Sequence, residues 1–395
     1  MVNLRIPLLV SIAVAVTTGL PACRAAKAQG KLPKPNIILI MADDLGWMDL
    51  HCYGNERLDT PALDQLAAEG MRFTDAYAAA PVCSPTRAAI MTGQTPGRLR
   101  LTNHAPGHQD GFALEGSNLK EAESVRHLAL SYVTIAERLS KAGYVTAHMG
   151  KWHLSYVARN NQDGIAEPDL RPDKQGFDIN IGGCFRGGPP SYFAPYRIPT
   201  LVAKQEGEYL PERLADEAIK FVQENRDRPF FLNWWPYSVH YPMQARDELI
   251  AKYRQRRGPG IKDPVYAAMI EGMDCYPTLL EVAGLAPTPA HPIDGKNLVP
   301  LFKQSSGFER DAIYFHYPNY AFHKQNRLGS AIREGEYKLI KRYRDGELEL
   351  FDLSKDLGEK TNLAREKAEL AKRLEGKLDV WLRETGANFP TRGSG

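Results

Sequence analysis

Four short stretches hold the side chains that could do chemistry in this 395-residue chain. The first is Cys83-Ser84-Pro85-Thr86-Arg87. A cysteine at a helix start feels the field of unpaired N–H groups, which favours an anion beside it. The second is Asp43-Asp44, directly after an apolar run. Two adjacent carboxylates are an electrostatic liability unless a cation neutralises them. Hard divalent ions take oxygen ligands, so calcium or magnesium fits; a solvated turn is the bland alternative. The third is Lys151-Trp152-His153. A lysine suits the charge on transferring oxygens, and a histidine shuttles protons near neutral pH. The fourth is His240, in Tyr237-Ser238-Val239-His240-Tyr241. Lone histidines are usually structural, but this one follows an apolar strand. His148, inside a strand pattern, reads as structural.

The elements that must position these residues alternate. Residues 36–41 form a continuous apolar run, as expected of a buried parallel strand. A helix should follow, with Thr60 as N-cap, Pro61 in its first turn, Leu63, Leu66 and Ala67 on one face and Gly70 at its exit. Residues 71–77 fit a strand, 81–85 a tight loop and 87–91 a helix start. Residues 133–142 are amphipathic, 144–149 strand-like, 213–225 helical and 230–234 a buried strand. This alternation predicts an α/β domain with a mainly parallel sheet flanked by helices. The candidate residues fall just past strand C-terminal ends, where open α/β sheets place their sites. Residues 287–292 are Pro-rich and read as a linker. Short strands at 312–316, 330–333, 337–343 and 348–353, with Asp345-Gly346 as a turn, precede an amphipathic helix at 368–382. They predict a smaller C-terminal antiparallel sheet plus helix, over 293–395.

Composition narrows the function. Hydrophobic residues make up 43% and charged residues 25%, ordinary for a globular protein. A net charge of +3 is too small for nucleic acid or a membrane surface to be the main partner. The basic knot Arg254, Arg256 and Arg257 reads as a solvated loop. Residues 1–28 look like a signal peptide: Arg5, an apolar run over 6–16, then Ala26-Lys27-Ala28. Leu20-Pro21-Ala22-Cys23 is similar to a lipoprotein cleavage site, with Pro21 off-pattern. The expectation is an exported protein, periplasmic or secreted, or lipid-anchored through Cys23, with no transmembrane segment in the mature chain. The five cysteines show no C-x-x-C spacing, so a zinc site is not expected. A disulfide among Cys52, Cys184 and Cys275 stays open.

Taken together, Cys83-Ser84-Pro85-Thr86-Arg87 with its continuation Ala88 to Gly93, Asp43-Asp44 followed by Leu45-Gly46-Trp47, and Gly143 to His153 resemble the type I sulfatases. Pro277 to Gly284, Asp294-Gly295 and Leu350-Phe351-Asp352-Leu353 resemble the family's later landmarks. The resemblance spans catalytic residues 35–286 and beyond, and implies an alkaline-phosphatase-like fold. It also implies sulfate-ester hydrolysis, with sulfated polysaccharide as one substrate class. In that family a formylglycine-generating enzyme oxidises the cysteine to an aldehyde whose hydrate attacks sulfur. Carried over, Cys83 is the nucleophile precursor. Arg87 holds the aldehyde hydrate and the metal-site carboxylates, Lys151 contacts sulfate, His153 holds the formylglycine oxygens and helps elimination, and His240 protonates the leaving oxygen or binds sulfate. Asp43, Asp44 and the oxidised Cys83 bind one calcium or magnesium ion.

The chain departs from the pattern in one place. Residues 266–273 and 277–283 read as two helices with no strand between them, so an α/β sheet has skipped a strand. The family places there a second ligand pair, Asp-Asn or Asp-His, and another lysine. The seam lies near Asp274-Cys275, and Asp263 or Asp274 would fill the gap by proximity alone. Three readings follow: an active sulfatase, an impaired relative that binds sulfated glycans or a partner, or an incomplete gene model of an active enzyme. Phosphonate monoester hydrolases share the cysteine motif, so a phosphoryl substrate is a further alternative.

Overall fold

A computed structural model describes residues 34–46, 49–56, 58–156, 167–247, 250, 292–298, 308–320 and 327–393. The leader, Cys23, the basic knot, the seam and the two helices expected around it lie outside the described residues.

Strand β1 (Ile37–Ile40) leads to helices α1 (Pro61–Glu69), α2 (Cys83–Thr92) and α3 (Pro96–Leu99). The short β2 (Leu119–Lys120), α4 (Ile135–Lys141), β3 (Val145–Gly150) and β4 (Ile179–Ile181) come next, then α5 (Leu210–Asn225) and β5 (Phe230–Trp235). The order β1-β5-β3-β4 makes a wholly parallel sheet. Side chains alternate across it. Phe231 and Trp235 face Ala88, Met91, Ile135 and Leu139 from α2 and α4. Phe230 and Leu232 face Ala218 and Phe221 from α5. The expected α/β architecture is therefore present, with helices on both faces. Thr134 and Glu137 exchange bonds as a capping box that starts α4, at 2.9 and 3.1 Å.

Strands β6 (Ile313–Tyr317), β7 (Gly329–Glu334), β8 (Tyr337–Arg342) and β9 (Leu348–Asp352) form the expected antiparallel sheet. Helix α6 (Ala368–Glu384) covers it by laying Ala371, Leu374, Leu378 and Leu382 on Ile332, Leu339 and Leu350. The terminal β10 (Thr391–Arg392) pairs with β2. Asp294 accepts from the Thr95 N–H at 2.7 Å and from the Arg98 guanidinium at 2.6 Å, fixing that landmark beside α3.

Several expectations need correction. Residues 71–77 form loop and bends, not a strand; β-branched and aromatic content there found no partner strand. Helix α2 begins at Cys83, earlier than the expected start at 87, because Pro85 falls in the first turn, where its missing N–H costs nothing. Strand β1 is not buried on both faces. Among the described residues it pairs only with β5, and Ile38 and Ile40 are each 49% exposed. The α1 face is also open, with Leu63 40% and Leu66 61% exposed. Thr60 does not cap α1 through its side chain; its hydroxyl accepts from the His51 N–H and donates to Asp64. Cys52 and Cys184 do not pair with each other. Among the described residues, no helix is long and apolar enough to cross a membrane.

Candidate active site

All seven sequence-selected residues reach the C-terminal end of the parallel sheet. Asp43 and Asp44 follow β1, Lys151 and His153 follow β3, and His240 follows β5. Cys83 opens α2, and Arg87 lies one turn further along it. Two backbone bonds tie the loops after β1 and β5: Asp43 N–H to the Ser238 carbonyl at 3.1 Å, and Val239 N–H to the Asp43 carbonyl at 2.9 Å. The Lys151 N–H bonds the Trp235 carbonyl at 2.7 Å, joining β3 to β5 at the same level. This close approach requires Gly150: its φ is +102°, and a Cβ there would lie 2.0 Å from the Trp235 oxygen.

Asp43 is the electrostatic centre. It is 8% exposed, and its carboxylate meets both Arg87, at 3.1 Å, and the Lys151 ammonium. Burial alone would raise its pKa; the two cations overcome that and hold it well below the usual carboxylate range. Arg87 and Lys151 are fully buried. The Arg87 guanidinium also donates to the Lys151 carbonyl at 2.6 Å and stacks 4.9 Å from the Trp235 ring. Asp44, by contrast, is exposed, with φ +61°.

Cys83 faces His153. The sulfur lies 3.2 Å from Nδ1, and Nε2 donates to the Ala105 carbonyl at 2.6 Å. That carbonyl fixes the tautomer, leaving Nδ1 as an acceptor aimed at residue 83. Burial first, then Lys151 and Arg87, pushes the His153 pKa down to about 3, so the ring is neutral at pH 7. Cys83 is the first residue of a ten-residue helix with no side-chain N-cap bond. The open N–H groups of that turn favour an anion. His240 donates through Nδ1 to the Tyr241 carbonyl at 2.7 Å and turns Nε2 toward Asp44 at 3.8 Å. Asp43, Asp44 and His240 each offer a donor atom, all within 4.8 Å of one another; the Cys83 sulfur is not in that group.

The chain also matches known proteins. The Sulfatase family profile covers residues 35–284. The chain belongs to the sulfatase family. A second profile, N-sulphoglucosamine sulphohydrolase, C-terminal, matches residues 233–384. This sulfatase is 32% identical to human N-acetylgalactosamine-6-sulfatase, over 60% of its own chain and 45% of the relative. It is 28% identical to human arylsulfatase A, over 77% of its own chain and 74% of the relative. The match thus spans under half the length of the first of these relatives. Solved structures share the fold. Ps i-CgsB in complex with k-i-k-neocarrahexaose superposes with a TM-score of 0.67 at 23% identity, covering 88% of this chain and 93% of that one. BT4656 in complex with its substrate D-glucosamine-2-N,6-O-disulfate gives 0.62 at 20% identity, covering 89% and 97%.

The structure adds residues to this sulfatase's site that the sequence reading passed over. Ser84 donates to the His153 carbonyl at 2.7 Å and accepts from the Ala105 N–H at 2.9 Å, so one hydroxyl locks both neighbours of the imidazole. Tyr192 donates to the Tyr237 and His240 carbonyls at 2.6 and 2.9 Å. Gly187 and Gly188 pack against the rings: a Cβ would lie 2.6 Å from His153 and 2.7 Å from His240. The Gly-Gly-Pro-Pro run at 187–190 was the available signal, since paired glycines mark close backbone approach. His148 is structural as expected. It is buried in β3, bonded to Asn233 at 2.9 Å, and burial pushes its pKa down to about 3.

Proposed function

We propose that the chain hydrolyses sulfate esters, with sulfated carbohydrate as the substrate class, through a formylglycine made from Cys83. The observation that carries this reading is Cys83 at the open end of α2, 3.2 Å from an imidazole nitrogen that can only accept. A maturation enzyme converts the side chain to an aldehyde, which hydrates. One hydroxyl attacks sulfur, and the alcohol leaves with a proton. The second hydroxyl then gives up its proton, the carbonyl re-forms and sulfate departs. His153 Nδ1 is the acceptor for that proton. Lys151, released from Asp43, neutralises the sulfate oxygens, while Arg87 keeps Asp43 charged and in place. His240 Nε2, on the exposed side, protonates the leaving oxygen.

The oxygens of Asp43 and Asp44, with His240 beside them, suit a hard divalent ion, calcium or magnesium. When bound, such an ion supplies a Lewis acid that polarises the ester. With His240 Nε2 kept for proton transfer, Asp43 and Asp44 are few donors, among the described residues, for an ion that takes six or more ligands. The sequence, which runs from residues 266–273 into 277–283 with no strand pattern between them, favours the reading that a strand and its ligand pair are missing, which weakens metal affinity. An impaired, glycan-binding relative is therefore the second reading, and a gene model lacking that segment is the third. The leader pattern argues for export to the periplasm or beyond.

The test is co-expression with a formylglycine-generating enzyme. Peptide mass spectrometry should show residue 83 as the aldehyde, and the product should turn over a chromogenic aryl sulfate with calcium present. An aldehyde without turnover above a Cys83→Ala control selects the binding-only reading. A thiol throughout removes the mechanism.

A further inference from the structure

The loop after β4 carries a cation, Arg186, beside the site. Its backbone is pinned there: the Cys184 carbonyl accepts from the His153 N–H at 3.0 Å, and Gly187 and Gly188 lie against the His153 and His240 rings. Arg186 is the residue between those anchors. Its guanidinium stacks 5.1 Å from Phe185, and its buried Nε has no hydrogen-bond partner. Among the described residues it makes no ion pair, whereas the other site cations, Arg87 and Lys151, are both spent on Asp43. Consecutive Cα atoms lie about 3.8 Å apart, so an arginine one residue from Gly187 stands within a side-chain length of the His153 ring. A half-buried guanidinium without an acid partner, beside an anion site, is a fork waiting for an oxyanion.

We propose that Arg186 determines specificity by pairing with a second anionic group on the substrate, next to the sulfate ester under attack. The inference rests on the sulfate-ester reading and adds that the preferred substrates are at least dianionic.

Two aryl esters separate the possibilities. 4-Nitrophenyl sulfate carries no charge beyond its ester. 4-Nitrocatechol sulfate carries an ionised hydroxyl beside it in mildly alkaline buffer. In the matured enzyme, Arg186→Ala should raise KM for 4-nitrocatechol sulfate about tenfold, the loss of one charge-assisted contact, with kcat within twofold. It should leave both constants for 4-nitrophenyl sulfate unchanged, and Arg186→Lys should restore part of the loss. An equal loss for both esters, or none for either, overturns the proposal. If the wild-type enzyme turns over neither ester, the sulfatase reading fails separately. Calorimetric binding of the two esters to the Cys83→Ala chain then decides. A tenfold preference for the dianion that Arg186→Ala abolishes sustains the proposal, and equal affinities refute it.

Discussion

The Lys151 ammonium and the Asp43 carboxylate form an ion pair with the lysine fully buried, joining the loop after β3 to the loop after β1. Lys151→Met should destabilise the protein by about 3 kcal/mol, because Asp43 loses one of the two buried cations paired with it in a dry site. Urea unfolding measures it. The double variant with Asp43→Asn should lose about 1–3 kcal/mol less than the two single losses added.

Asp44 occupies the opposite regime, with its side chain 65% exposed and His240 at 3.8 Å. Asp44→Asn should leave the unfolding midpoint nearly unchanged, within about 0.5 kcal/mol. Calcium titration by calorimetry should show at least tenfold weaker binding, since one of the three clustered donors loses its charge. Unchanged affinity would exclude Asp44 from the metal site.

Acid should destabilise this protein before its carboxylates titrate. Burial pushes the pKa of His148 down to about 3 and of His316 down to about 4. The folded state therefore binds fewer protons than the unfolded chain between those values and the ordinary histidine value near 6.5. Stability is complete above about pH 6.5 and falls as the pH drops toward 4, at most about 2 kcal/mol per histidine by pH 5. Urea midpoints at pH 7, 6 and 5 test this, and a flat series contradicts it.

Gly150→Ala should fail to fold or lose more than about 3 kcal/mol. The added Cβ meets the Trp235 carbonyl at 2.0 Å, and the φ of +102° is closed to alanine. Neither the carbonyl, bonded to Lys151, nor the parallel register can yield. Gly111→Ala, where a Cβ would meet nothing within 4 Å, controls for backbone strain alone. Its loss in thermal unfolding should be much smaller.

Much of the site was legible because its chemistry sits in contiguous motifs. Cys83 to Arg87, Asp43-Asp44 and Lys151-Trp152-His153 each combine reactive residue types with an apolar strand or helix start beside them. Strand periodicity then placed them at one sheet end. The antiparallel C-terminal sheet was legible for a similar reason: its turn and alternation are local. What failed was non-local. Whether residues 71–77 pair, and whether β1 lies inside the sheet or at its edge, depends on neighbours distant in sequence.

The sequence by itself determined which residues could react and on which elements they ride, since side-chain type and period are written in the chain. Only the tertiary structure decided their charge states and aim. Asp43 stays ionised because Arg87 and Lys151 converge on it from other elements. His153 points an acceptor at residue 83 because the Ala105 carbonyl takes its one proton. Burial and partner choice arise from packing between distant segments, and no local pattern encodes them.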